Sequence, residues 1–220
     1  MQQSELFPAA AGHIGTDESG KGDYFGPLVI AGFFLPDDQE GILKEFGVKD
    51  SKTLSDNRCR QIAEILKKGY THTVVTIGPE KYNELYARIR NLNRLLAWGH
   101  ARAIENILAE VSCARAITDR FGDEKFVLNA LLKQGKTIEL VQRTKGEADL
   151  AVAAASILAR AEFLKRLYFL GREWSLDLPK GAGPQVEEAA VALIRKHGVG
   201  ALDQTVKKHF KITGRVLKLV

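Results

Sequence analysis

The sequence predicts an α/β fold, a mixed five-stranded sheet flanked by helices and followed by further helices at the C-terminal end. Three observations carry this. Five short apolar runs, at 13–18, 27–35, 70–77, 114–118 and 137–141, have the length and composition of strands. Helical periodicity fills most of the intervals after the second of them. A run of small residues within 148–170, among them Ala151, Ala153, Ala154, Ala155, Ala159 and Ala161, makes a helix able to lie very close to a sheet.

Taken in order, strand one ends on Asp17-Glu18 and runs into Gly20-Lys21-Gly22, a glycine turn that leads to strand two. Lys49–Ser55 is a polar loop, and Ser55 is placed to cap a helix through Ile62, Ile65 and Leu66. Tyr70–Ile77, rich in β-branched residues, is strand three. A short helix over Pro79–Arg88 precedes a long one through Leu95, Ala101, Ile104, Ile107 and Leu108. Ala114–Thr118 is strand four and delivers Asp119 at its end. Phe126–Lys133 reads as helix, Thr137–Val141 as strand five, and Ala148–Leu170 as the alanine-rich helix. Pro179–Gly183 breaks the chain before helices near 184–197 and 199–207. No repeat, low-complexity tract or linker argues for a second large domain. Residues 1–220 are therefore expected to form a single domain, with a tail at 1–12 and a basic helical segment at 179–220.

Composition narrows the class. The chain has 220 residues, 45% apolar and 27% charged, which is ordinary for a globular protein. Its net charge of +5 mildly favours a polyanionic partner, and residues 195–220 set seven basic groups against the single acid Asp203. Two cysteines, Cys59 and Cys113, show neither CxxC nor zinc spacing, which fits a reducing, cytoplasmic setting. No secretory signal and no apolar run long enough to span a bilayer is present, so no membrane partner is expected.

Four acids stand at ends of predicted elements: Asp17, Glu18, Asp119 and Glu147. In an open α/β sheet, strand ends are where sites are built. Carboxylates gathered there repel one another unless cations lie between them, and their hard oxygens suit Mg²⁺ or Mn²⁺. One difficulty is the pleat, because adjacent strand residues point to opposite faces. Asp17 and Glu18 share an ion only if the strand ends or twists there, and Gly20 and Gly22 make such a break plausible. The glycines let backbone N–H groups approach phosphate, and Lys21 adds a positive charge. Taken singly, each of these residues has a plainer reading: a cap, a turn former, a solvated lysine. The joint pattern weighs against those readings.

That pattern extends into a family resemblance. Residues 15–34, GTDESGKGDYFGPLVIAGFF, resemble the opening motif of the prokaryotic type 2 ribonucleases H, specifically the ribonuclease HIII branch. The resemblance recurs in register at Lys49–Ser55, Asn91–His100, Thr118–Phe121, Thr144–Arg160, Leu178–Ala182 and Lys208–Phe210, and covers essentially 13–212. It implies a ribonuclease H-like fold and a metal-dependent endonuclease that cuts the RNA strand of RNA/DNA hybrids to 5′-phosphate and 3′-hydroxyl products. It also implies Asp17, Glu18, Asp119 and Glu147 as holders of one or, in turnover, two Mg²⁺ or Mn²⁺ ions. Asp149 stands close to Glu147 as an alternative fourth acid. Gly20, Lys21 and Gly22 are similar to the family's loop on the ribose 2′-hydroxyl and phosphate, with Ser51, Lys52, Lys145 and Lys180 as further backbone contacts.

Two departures from the family pattern stand out. Only about a dozen residues precede the first motif, where the HIII branch carries a substrate-binding domain, so either the catalytic domain and its basic C-terminal stretch grip the hybrid or the sequence is part of a longer chain. LPKGAGP holds Gly183 in place of a serine and lacks an evident junction-sensing tyrosine. Efficient incision at a single embedded ribonucleotide, as in ribonuclease HII, is therefore not expected, though it stands as the rival activity. A non-catalytic hybrid-binding protein is the rival class, and keeping all four acids argues against it. A monomer is expected.

Overall fold

Glycines and alanines decide how near the helices come to the sheet. The structure is a computed structural model that describes residues 11–119, 122–132, 134–144 and 146–220, with the side chains of Glu124 and Glu147 outside that description. Strands β1 (Gly12–Ser19), β2 (Leu28–Pro36), β3 (His72–Ile77), β4 (Arg115–Asp119) and β5 (Glu139–Arg143) form one mixed sheet in the order β3-β2-β1-β4-β5. β1 and β5 each run parallel to β4, with Thr16 opposite Thr118 and Thr118 opposite Gln142. The helices are α1 (Glu40–Glu45), α2 (Asp56–Gly69), α3 (Pro79–Ile89), α4 (Leu92–Leu108), α5 (Glu124–Ala130), α6 (Leu150–Glu173), α7 (Pro184–His197), α8 (Ala201–Thr205) and α9 (Lys211–Val216).

The chain divides into two compact units. One comprises residues up to Glu18, Ile30–Val75 and Asn93–Ala161; the other comprises Ser19–Val29, Thr76–Leu92 and Glu162–Val220. In the first, the buried face of α4 (Ala97, Ala101, Ile104, Ile107) packs in one core with Ile14, Phe34, Ala116 and Val127. A Cβ added at Gly99 would lie 2.7 Å from Ile30, and one at Gly32 would lie 2.9 Å from Ile107, so both glycines set the spacing of α4 on the sheet. On the α6 side the approach is closer still. A Cβ at Gly15 would fall 2.1 Å from the carbonyl carbon of Ala151 and 2.2 Å from the nitrogen of Val152. Helix and strand there touch backbone to backbone, and Ala151–Ala155 are fully buried. That contact accounts for the run of small residues.

In the second unit, Phe25 and Val206 form an antiparallel bridge, and the Gly26 N–H donates to Thr205 O. Lys207, fully buried, directs its ammonium at the carbonyls of Phe25, Gly26 and Pro27, at 3.3, 2.6 and 3.3 Å. Burial pushes that ammonium down to about 7 while the Asp23 charge opposes the shift. The carbonyls supply the acceptors that a buried donor requires.

Ser55 caps α2 through the Arg58 N–H as expected, and Pro184 opens α7. Ile65 is exposed rather than on the buried face of α2, and Trp98 is exposed as well. α1 and α9, each six residues long, lie outside the sequence reading because so short a helix shows little more than one turn of periodicity. Lys133, the expected end of the helix before β5, lies outside the described residues. Among the described residues, no helix is long and apolar enough to cross a membrane.

Gly15→Ala should lower stability by about 3 kcal/mol or more, since neither backbone can yield by an ångström without disturbing the other's hydrogen bonds. Gly41→Ala, with open space around it on α1, should be neutral or slightly stabilising. Paired denaturant melts check the contrast; equal midpoints would contradict the close-packing account.

Candidate metal centre and phosphate loop

Carboxylates collect at the C-terminal ends of the parallel strands β1 and β4. β1 continues through Ser19, so the strand does not break between Asp17 and Glu18, and the pleat holds. Glu18 turns its Oε2 to His100 Nε2 on α4, 3.1 Å away, while Asp17 Oδ1 accepts the Glu18 N–H at 2.8 Å. Asp119, last in β4, accepts the Gly146 N–H at 3.0 Å. A Cβ at Gly146 would sit 2.9 Å from the Cα of Asp119, so the turn Gly146–Ala148 abuts the end of β4. That turn carries Glu147, whose side chain lies outside the description.

Burial pushes the Asp17 carboxyl well above its ordinary range, and the charges of Glu18 and then Asp119 push the same way. The Glu18 amide and the Lys52 ammonium oppose this without cancelling it. A half-buried carboxylate among like charges is short of positive charge, and its hard oxygens suit a divalent cation. Among the described residues no three His, Cys, Asp or Glu side chains gather tightly enough to hold an ion by themselves. The donor set fits Mg²⁺ or Mn²⁺ in kind, with the Glu147 side chain still to be counted.

Asp149 is occupied elsewhere. Its carboxylate receives His13 Nε2 at 3.0 Å and caps α6 by accepting from the N–H groups of Ala151 and Val152, at 2.9 and 3.3 Å. Its pKa lies below the usual value: burial works to raise it, but the His13 hydrogen bond and charge and the two amides win.

Ser51 is buried in the turn Ser51–Thr53, and its carbonyl accepts from Arg160 Nη1. Arg160 also pairs with Asp56 at 2.6 Å, so α6 and the start of α2 clamp this loop. Lys52 follows, exposed, close enough to lower the Asp17 carboxyl.

The second unit holds the glycine turn. Gly20 has φ +87° and its Cβ position would meet the Pro27 carbonyl at 2.2 Å, so both backbone conformation and space demand glycine. The Gly181 N–H donates to Asp23 at 2.6 Å, and the Tyr24 N–H donates to Gly181 O at 2.9 Å. These bonds bring Lys180 beside the loop that bears Gly20, Lys21 and Gly22. Lys145 lies outside the described residues.

Two groups escaped the sequence reading. His100, which the sequence reading did not single out as a site residue, bonds Glu18 directly; its one signal was the WGH sequence in a helix whose buried face is mostly apolar. Lys207, counted there with the basic tail, is buried. Lys208 pairs with Asp203, and Arg215 pairs with Glu187. The C-terminal charge open to a polyanion is therefore smaller than the bare count.

A mixed α/β sheet with acids at its parallel strand ends is the framework of the ribonuclease H-like nucleases, and the comparisons with known proteins agree. The chain matches the family described as Ribonuclease HII over residues 14–213. Ribonuclease HIII of Protochlamydia amoebophila is 48% identical over 205 residues, covering 93% of this chain and 68% of that protein. Ribonuclease HIII of Chlamydia felis is 42% identical, covering 90% and 67% respectively. The crystal structure of Bst-RNase HIII in complex with Mn²⁺ superposes with a TM-score of 0.88 at 32% identity, covering 99% of this chain and 74% of that one. This chain belongs to the ribonuclease HII family, on its HIII side.

Asp149→Ala should lower stability by about 1 kcal/mol through loss of the cap, yet spare nuclease activity. Glu147→Gln should do the reverse. Thermal melts and hybrid cleavage on the two variants separate them; an inactive but stable Asp149→Ala would exchange the roles.

Proposed function

We propose that the chain is a divalent-metal-dependent endoribonuclease that hydrolyses the RNA strand of RNA/DNA hybrids, leaving 5′-phosphate and 3′-hydroxyl ends. The observation that carries this is the meeting of Asp17, Glu18 and Asp119 at the C-terminal ends of the parallel strands β1 and β4, with the turn that bears Glu147 set against Asp119. Asp17, Glu18, Asp119 and Glu147 would hold the metal. Bound there, Mg²⁺ or Mn²⁺, two ions in turnover, would lower the pKa of the attacking water and offset charge on the leaving 3′-oxygen.

The chain's own residues do the rest. Lys52 and the clamped Ser51 loop hold a backbone phosphate. Gly20, Lys21 and Gly22 present N–H groups and a positive charge to the ribose-phosphate backbone, where the 2′-hydroxyl distinguishes RNA from DNA. Lys180 adds a charge beside that loop, and Lys145 is a further candidate. We place the enzyme in the cytoplasm as a monomer, in keeping with two buried, unbridged cysteines.

Labelled hybrid should be cut in Mg²⁺ or Mn²⁺ and left intact in EDTA. Asp17→Asn should lose at least about a hundredfold in rate. A duplex with a single embedded ribonucleotide should be cut far less well than the hybrid. Full activity in Asp17→Asn, or in EDTA, would overturn the reading; preferential cutting of the single-ribonucleotide duplex would move it to the HII activity.

A further inference from the structure

We propose that His100 is a positioning residue that, backed by Thr16, aims the Glu18 carboxylate for the divalent cation; this rests on the reading of Glu18 as a metal-holding acid. His100 is fully buried. Its Nε2 lies 3.1 Å from Glu18 Oε2, and its Nδ1 lies 2.8 Å from Thr16 Oγ1. An ionised carboxylate only accepts, so Nε2 carries the proton, and in the neutral ring Nδ1 accepts the Thr16 hydroxyl proton. The imidazole is thus held at both ends, by two residues of the same strand face.

The fold supplies the reason such a device is needed. β1 keeps its pleat through Ser19, which sends Glu18 to the face opposite Asp17. A glutamate on that face has three torsions to settle before its carboxylate serves an ion at the end of the strand. His100 settles them in advance. It reaches β1 because Gly99 lets α4 lie against Ile30, where a Cβ would come within 2.7 Å. Outer-shell partners of this type typically change metal affinity ten- to a hundredfold.

The test is Mn²⁺ binding to the whole protein without substrate, read by electron paramagnetic resonance of free Mn²⁺, with melting temperature followed alongside. His100→Leu fills the same space without the donor and should weaken Mn²⁺ binding about ten- to a hundredfold. His100→Gln, whose amide can still donate, should recover most of the loss. Thr16→Val should fall between them. Wild-type Mn²⁺ affinity in His100→Leu overturns the proposal, as does an affinity that follows melting temperature across the three variants. If His100→Leu does not fold, Thr16→Val and His100→Gln decide in the same way. Glu18→Gln is the reference: undiminished Mn²⁺ binding there refutes Glu18 as a metal-holding acid and the proposal with it. Reduced binding in Glu18→Gln beside wild-type binding in His100→Leu refutes the role of His100 alone.

Discussion

The backbone contact between Gly15 and the first turn of α6 is the constraint on which the candidate metal centre depends. With no side chain between them, the helix lies directly against β1, two residues before Asp17. The start of α6 is then fixed by Asp149, which caps the helix and pairs with His13 in the same strand. The turn Gly146–Ala148 is thereby pressed against the end of β4, where the Gly146 N–H meets Asp119. Three chain segments converge on one sheet edge because one strand position lacks a Cβ.

That edge is electrostatically costly. The half-buried Asp17 carboxyl, beside Glu18 and Asp119, is held in its charged form against desolvation and repulsion. The surrounding structure supplies some relief through the Glu18 amide and Lys52, and leaves the rest. Local strain of this kind is tolerated where packing over-determines the geometry, and it is the condition under which a divalent cation gains most by binding. His100 and Thr16 extend the same principle into the α4 face.

Much of this was legible in the sequence, for physical reasons. Strand-length apolar runs, the Ser55 cap and the proline-started helices report local preferences that tertiary packing did not override. The small-residue run in α6 foretold close packing, though not its partner, because Gly15 reads as one glycine among twenty. Glu147 and Asp149 could not be ranked by spacing alone. Asp149 declares itself a cap only through hydrogen bonds to Ala151, Val152 and His13. Lys207 read as part of a solvated basic tail, since nothing local foretells three carbonyls 180 to 182 residues away. The pleat argument was sound, but the strand does not break where Gly20 and Gly22 suggested: Glu18 leaves on the face opposite Asp17 and meets His100 there.

The central claim is that Asp17, Glu18, Asp119 and Glu147 form one divalent-metal centre while Asp149 stays with His13. Anomalous scattering from crystals grown with Mn²⁺ tests it most directly. The account predicts Mn²⁺ peaks contacting those four carboxylates, with the Asp149 cap intact. Peaks ligated by Asp149, or none at the ends of β1 and β4, would contradict it.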